Sequence, residues 1–206
     1  MTCKHFFVGL VLLLLFGVRP GMAAVRLGAP FGEHMVLQQG VPVPIWGTGC
    51  PGGDNLRLSI AGQSLTAKCD WEGRWMVILA PMKAGGPYQL LIEVGGSGPL
   101  APSSAANSRG GVELNDVVVG EVRVAPSQSA PSAGATKNAA PENLQALPAW
   151  IRVLKSPATG TSDAGRWIVD LSWTKANYSD ASFTLARELY KKLGVPIGII
   201  ESPAVH

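Results

Sequence analysis

The sequence predicts a β-rich chain: an antiparallel β-sandwich or jelly roll first, then a shorter α/β unit. Three observations carry this. Gly (25) and Pro (16) punctuate the 206 residues and leave room for short strands rather than long helices. Apolar residues in the N-terminal half alternate with period two. Near the end, a helical pattern lies between two continuous apolar runs. The composition, 47% hydrophobic and 15% charged with a net charge of +3, excludes a coiled coil, an acidic disordered tail and a strongly basic nucleic-acid module.

Residues 1–23 are expected to be a secretory signal peptide rather than part of the fold. Lys4 supplies the basic start, and Phe6 to Val18 is an apolar run too short to span a bilayer comfortably. Gly21 and Ala23 are small residues at −3 and −1 of a cleavage site, so the mature chain starts at Ala24. Loss of Lys4 and Arg19 leaves 183 residues with a net charge of +1, which indicates no charged partner and no membrane association after cleavage. The expected location is secreted or periplasmic, or lysosomal or extracellular in a eukaryote. The mature chain keeps Cys50 and Cys69. In an oxidising compartment they form one bridge or remain two buried thiols. No Cys/His cluster indicates a metal, and no cofactor is expected.

Val36–Leu37 and Val43–Trp46 read as short strands parted by Gly40 and Pro42. Leu56, Leu58 and Ile60, then Leu65, Ala67 and Cys69, form the inward rows of a hairpin turned at Ala61-Gly62-Gln63. Asp70-Trp71-Glu72-Gly73 is a turn. Arg74 to Leu79 is apolar on both faces, Lys83 to Pro87 breaks the chain, and Tyr88, Leu90, Ile92 and Val94 form another inward row. Gly95 to Gly111 reads as a flexible excursion. Val117 to Val124 suits a strand covered on both sides, as in a parallel sheet. Ile151 to Leu154 is a candidate strand. Asp180 to Leu193 is a helix capped by Asp180 and ended by Gly194, with Phe183, Ala186, Leu189, Tyr190 and Leu193 on one face. Val195 to Ile200 follows as a buried strand. The expected division is 24–116 for the β domain and 117–206 for the α/β part.

Four features bear on chemistry. Gly47 to Gly52 matches G-x-G-x-x-G, but a strand follows where a dinucleotide site needs a helix, so it reads as a turn. Ser127-Gln128-Ser129 follows the buried strand, where α/β folds place their chemistry; a serine there serves as nucleophile if a histidine takes its proton, and is otherwise an ordinary Ser-rich loop. His34 reads as a structural hydrogen-bonding group, and His206 is the last residue of the sequence. Asn177-Tyr178-Ser179 is a glycosylation sequon, relevant in a eukaryotic source.

Phe31 to Gln38, Val43 to Gly47, Gly73 to Trp75, Lys83 to Tyr88, Asp116 to Val122, and Ala186 to Leu189 with Lys191 to Ser202 occur in an order that resembles the sialate O-acetylesterases. These are carbohydrate esterases of the SGNH-hydrolase class. The resemblance implies a β-sandwich ahead of an SGNH-type, flavodoxin-like α/β domain, here incomplete. It implies hydrolysis of O-acetyl esters on sialic acids or related sugars, without a metal, so the expected partner is an acetylated sugar or glycan. Where the family carries Ser-Gly-Gln-Ser-Asn-Met, this chain has Pro126-Ser127-Gln128-Ser129-Ala130-Pro131. Ser129 then stands at the nucleophile position and Gln128 is a substrate-binding candidate. Ser127, Ala130 and Pro131 depart from the motif, the last removing a backbone N–H. The family's downstream Asp-x-x-His has no counterpart before His206, so the triad is incomplete and impaired activity is expected, as in a fragment, a frameshifted gene or an inactive homologue. The alternative is a non-catalytic secreted protein whose β-sandwich binds glycan or a partner chain.

Overall fold

A computed structural model describes residues 24–95, 110–127, 150–155, 165–169 and 180–203. The expected signal peptide and most of the Gly95–Gly111 excursion lie outside them. The described chain is mainly β. In order come β1 (Arg26–Leu27), β2 (Val36–Gln38), β3 (Val43–Thr48), β4 (Asn55–Ile60) and β5 (Gln63–Lys68). Then follow β6 (Trp75–Leu79), β7 (Gly85–Gly95), β8 (Val112–Ser127), β9 (Ile151–Lys155) and β10 (Arg166–Ile168). The helix α1 (Asp180–Leu193) and β11 (Ile197–Pro203) complete it.

Strands β1, β3 and β6 form a small antiparallel sheet with β3 in the middle. The other eight form one mixed sheet, ordered β10-β9-β11-β8-β7-β4-β5, with β2 also paired to β8. The inner faces of the two sheets share one core. Ile45, Val77 and Leu79 come from the small sheet, and Leu56, Leu58, Leu90, Ile92 and Val94 from the large one.

The β4–β5 hairpin turns at Ala61 and Gly62, both with positive φ, and pairs Ile60 with Gln63. Arg74 to Leu79, apolar on both faces, buries one of them: Trp75, Val77 and Leu79 are buried, while Met76 and Ile78 are 56% and 61% exposed. The small sheet packs on the large one through one side only, so the apolar residues of the other parity face outward. The break expected at Lys83–Pro87 is shorter, because β7 already begins at Gly85. Pro87 has no N–H to give a ladder, and the pairing with β8 is irregular between Gly85 and Tyr88.

β8 is sixteen residues long and runs through residues 116 and 117 without interruption. Its first half pairs antiparallel with β7, its middle residues 118–120 pair parallel with β2, and residues 121–127 pair parallel with β11. β9 lies parallel on the far side of β11. Ile151, Val153, Ile197 and Ile199 form a second cluster with Ala186 of α1, and Leu189 and Tyr190 pack against it. Leu193, expected on that face, is exposed: the buried contacts stop a turn earlier, and Gly194 (φ 63) donates its N–H to Tyr190 O at 2.8 Å and ends the helix. At the junction of the parallel pair, a Cβ on Gly120 would fall on the Pro196 carbonyl. Gly120→Ala is therefore expected to cost about 2 kcal/mol through backbone overpacking, read as a shifted urea midpoint with an unchanged slope.

Cys50 and Cys69 are joined by a disulfide with Cα atoms 6.0 Å apart, closing a span of 19 residues. It ties the end of β3 to the end of β5, and both residues are buried. Cys50→Ala with Cys69→Ala is expected to lower stability by about 3 kcal/mol. Urea unfolding measures this, and thiol labelling of the denatured, unreduced protein should find neither cysteine free.

Candidate functional site

Strands β8, β9 and β11 are parallel, so their carboxyl ends open at one edge. At that edge Ser127, the last residue of β8, is in register with Pro203, and Glu201 with both Ala125 and Lys155. In open α/β sheets, ligands bind outside the carboxyl ends of the strands. The candidate nucleophile Ser129 and its neighbour Gln128 follow Ser127 directly in the chain, but both lie outside the described residues, as do Ala130, Pro131 and His206. Glu201, buried near the end of β11, is the described ionisable group that this edge brings closest in register to Ser127. A shallow cleft of about 190 Å³, lined by Trp150, Tyr190, Val195 and Pro196 among others, lies at the opposite, amino end of β11. Among the described residues no three His, Cys, Asp or Glu side chains converge as metal ligands.

A second polar cluster sits on β8 itself. His34 Nδ1 lies 2.7 Å from Asp116 Oδ2, and Arg152 donates to Asp116 Oδ1 at 2.7 Å and to the Asp116 carbonyl at 2.8 Å. Arg152 is only 4% exposed. The residues around His34 are bound to the same strand. Glu33 accepts the Asn115 N–H at 3.2 Å, Gln38 accepts the Val122 N–H at 2.8 Å, and Gln38 and Gln39 both donate to Glu121. Residues 33–39 are thus a polar clamp on β8, and His34 reaches Asp116 from a left-handed backbone, φ 65. His34 takes the structural hydrogen-bonding role. Asp116 and Ser127 are eleven positions apart on β8, about 35 Å of extended strand, so this histidine serves the other end of the strand from Ser127. Sequence reasoning missed Arg152. Its signal was a lone cation inside Ile151-Arg152-Val153-Leu154, where a strand covered on both faces obliges it to find a buried partner.

Burial pushes the Asp116 carboxyl up, but the hydrogen bonds from His34 and Arg152 and the charge of Arg152 outweigh it and hold it below its ordinary 3.8. A depressed carboxylate contributes stability that is fully present above the unfolded value and lost as pH falls through the folded one. Stability should therefore decline below about pH 4 partly through this group. Asp116→Asn should remove that part of the acid limb. At neutral pH it should cost about 3 kcal/mol, because Arg152 keeps its charge and loses its carboxylate. Urea titrations across the acid range measure both effects.

No protein-family model matches the chain. Its fold, with the parallel strands that end beside Ser127, is similar to that of a carbohydrate acetylesterase. The crystal structure of such an enzyme from Xanthomonas citri superposes with a TM-score of 0.71 and 27% identity, covering 87% of this chain and 40% of that one. Among curated proteins, the sialate O-acetylesterase of Homo sapiens is 28% identical over 226 residues, covering 98% of this chain and 41% of the human protein. That of Mus musculus is 28% identical over 218 residues, covering 94% of this chain and 38% of the mouse protein. The resemblance read in the motifs is thus to the sialate O-acetylesterase family, and it runs over nearly the whole chain. The chain spans about two fifths of the length of these relatives.

Proposed function

We propose that this chain is the sandwich-and-nucleophile portion of a carbohydrate O-acetylesterase, with an SGNH-type, flavodoxin-like arrangement of β8, β9, α1 and β11. The substrate class is an O-acetylated sugar, a sialic acid or a related one. The observation that carries this reading is the likeness to the Xanthomonas citri carbohydrate acetylesterase, strengthened by similarity to sialate O-acetylesterases over nearly the whole of this chain. Ser129 is the residue assigned to attack the ester carbonyl, and Gln128 the neighbour assigned to the substrate.

Ester hydrolysis by serine needs a nucleophile, a base and donors for the oxyanion. Ser127 replaces the glycine that eases a tight turn, and Pro131 removes an N–H and biases Ala130 toward extended backbone. These substitutions disturb the loop that would present Ser129, so the activity of this chain is proposed to be impaired. The same three residues favour the second reading, a non-catalytic secreted protein that binds glycan or another protein.

Acetate release from an O-acetylated sialic acid and from an aryl acetate tests the first reading. The expected result is turnover no higher than the blank, with Ser129→Ala indistinguishable from the parent. Turnover abolished by Ser129→Ala would overturn the impairment and establish the nucleophile. Saturation-transfer NMR with the same acetylated sugar should place its acetyl methyl against the protein; no contact at all would sink the substrate class. Export is proposed on the composition of residues 1–23: the secreted protein should have the intact mass of a chain starting at Ala24, and a mass retaining those residues would mark an anchor instead.

A further inference from the structure

We propose that the outer face of the β1-β3-β6 sheet is a binding site for a carboxylate-bearing pyranose sugar, separate from the edge that leads to Ser129. The register builds this face as a grid. Arg26 stands opposite Thr48, Trp46 opposite Met76, and Pro44 opposite Ile78, and none of the six is buried. Trp46 lies at the centre, on the middle strand. It is 37% exposed, and the pyrrole edge of its indole lies against Gly28: a Cβ built on that glycine would come within 2.6 Å of Nε1 and Cδ1. The absence of a side chain at Gly28 therefore lets the indole reach across to the chain beside β1. Phe31 meets the indole edge-on, with centroids 4.6 Å apart and planes at 80°. A buttressed, part-exposed aromatic ring suits the C–H face of a pyranose, whose polarised hydrogens meet the negative face of an indole.

Charge selects among sugars. Arg26, on β1, lies two residues before Gly28, about 7 Å away. This puts a guanidinium within reach of a carboxylate on a ring stacked over Trp46. Among the described residues Arg26 has no acidic partner, and none of the six grid residues is acidic. The neighbouring arginine, Arg74, is different: Asp70 and Glu72 hold it at 2.8 Å each. The face therefore offers one open guanidinium beside one aromatic surface, and a planar guanidinium matches a carboxylate with two parallel hydrogen bonds.

The test uses the whole chain, with methyl β-glucuronide and methyl β-glucoside as probes; both offer a pyranose ring, and only the glucuronide carries a carboxylate. The readout is the Trp46 indole N–H signal in nitrogen–proton spectra, assigned by its loss in Trp46→Phe. The glucuronide should shift it with a Kd on the order of 1 mM, and the glucoside should bind about threefold more weakly. Arg26→Gln, a surface change that leaves packing intact, should erase the difference between the two sugars. Gly28→Ala should weaken both by lifting the indole off its seat. Neither probe carries an acetyl ester, which keeps this result independent of the esterase reading. The proposal is overturned if the glucuronide leaves the Trp46 signal unmoved, if Arg26→Gln keeps the preference, or if sedimentation shows that this face pairs two copies of the chain.

Discussion

Arg152 is the residue the rest of the structure must accommodate. A guanidinium removed from water is tolerable only where charge and hydrogen bonds meet it, and leaving it alone would cost several kcal/mol. It lies in β9 between residues that pack under α1, and its counter-charge, Asp116, lies on β8 in a stretch that pairs with β7. The requirement therefore fixes where β9 stands along β8. His34 takes the second oxygen of the same carboxylate, which fixes the segment from Phe31 to Gln39 as well. One carboxylate thus holds together three pieces of chain that are remote in sequence.

β8 makes this possible because it does not end where its pairing changes. Its antiparallel half belongs to the core shared with the small sheet, and its parallel half belongs to the unit under α1. A single strand cannot rotate one half freely against the other, so the β-rich part and the parallel strands are mechanically one body along β8. The second face of β9 and β11, which a doubly wound fold covers with another helix, meets Val36 and Trp167 instead. Gly198 has no side chain where these two press closest, and Trp167 donates its indole N–H to the Pro30 carbonyl at 2.8 Å. Among the described residues, the N-terminal segment and Trp167 cover this face.

Much of this was legible in the sequence, for identifiable reasons. The β4–β5 hairpin announced itself because one face of each strand meets the core and a Gly-containing turn separates them, so period two survives intact. Helix α1 was legible from its spacing and from Gly194, although Leu193 was assigned to a buried face that ends sooner. Met76 and Ile78 were misleading because hydrophobicity reports what a residue tolerates, not what lies above it. At residues 116 and 117 the pattern changes from alternating to continuously apolar, but composition cannot say whether a strand stops there, and β8 runs on with Val124 67% exposed. The partner of Arg152 was illegible because it is 36 residues away and on another strand. The Ser129 loop is rich in Ala, Ser and Pro, without periodicity, so only family resemblance picks out a serine in it.

The two ends of β8 carry different chemistry, and this separates what the clamp can do from what the candidate nucleophile can do. A histidine hydrogen-bonded through Nδ1 to a carboxylate has the orientation of a general base, yet orientation is not proximity. General-base catalysis needs contact at hydrogen-bond distance, and the length of β8 between Asp116 and Ser127 exceeds that roughly tenfold. The His34–Asp116 pair is therefore explained by Arg152 and by the left-handed turn that delivers it, both structural demands. At the carboxyl side of the parallel strands, Glu201 and Lys155 are both engaged. What the fold supplies at that edge is a rigid support: parallel strands locked in register from Glu121 to Ser127, so that whatever follows Ser127 starts from a fixed position and direction.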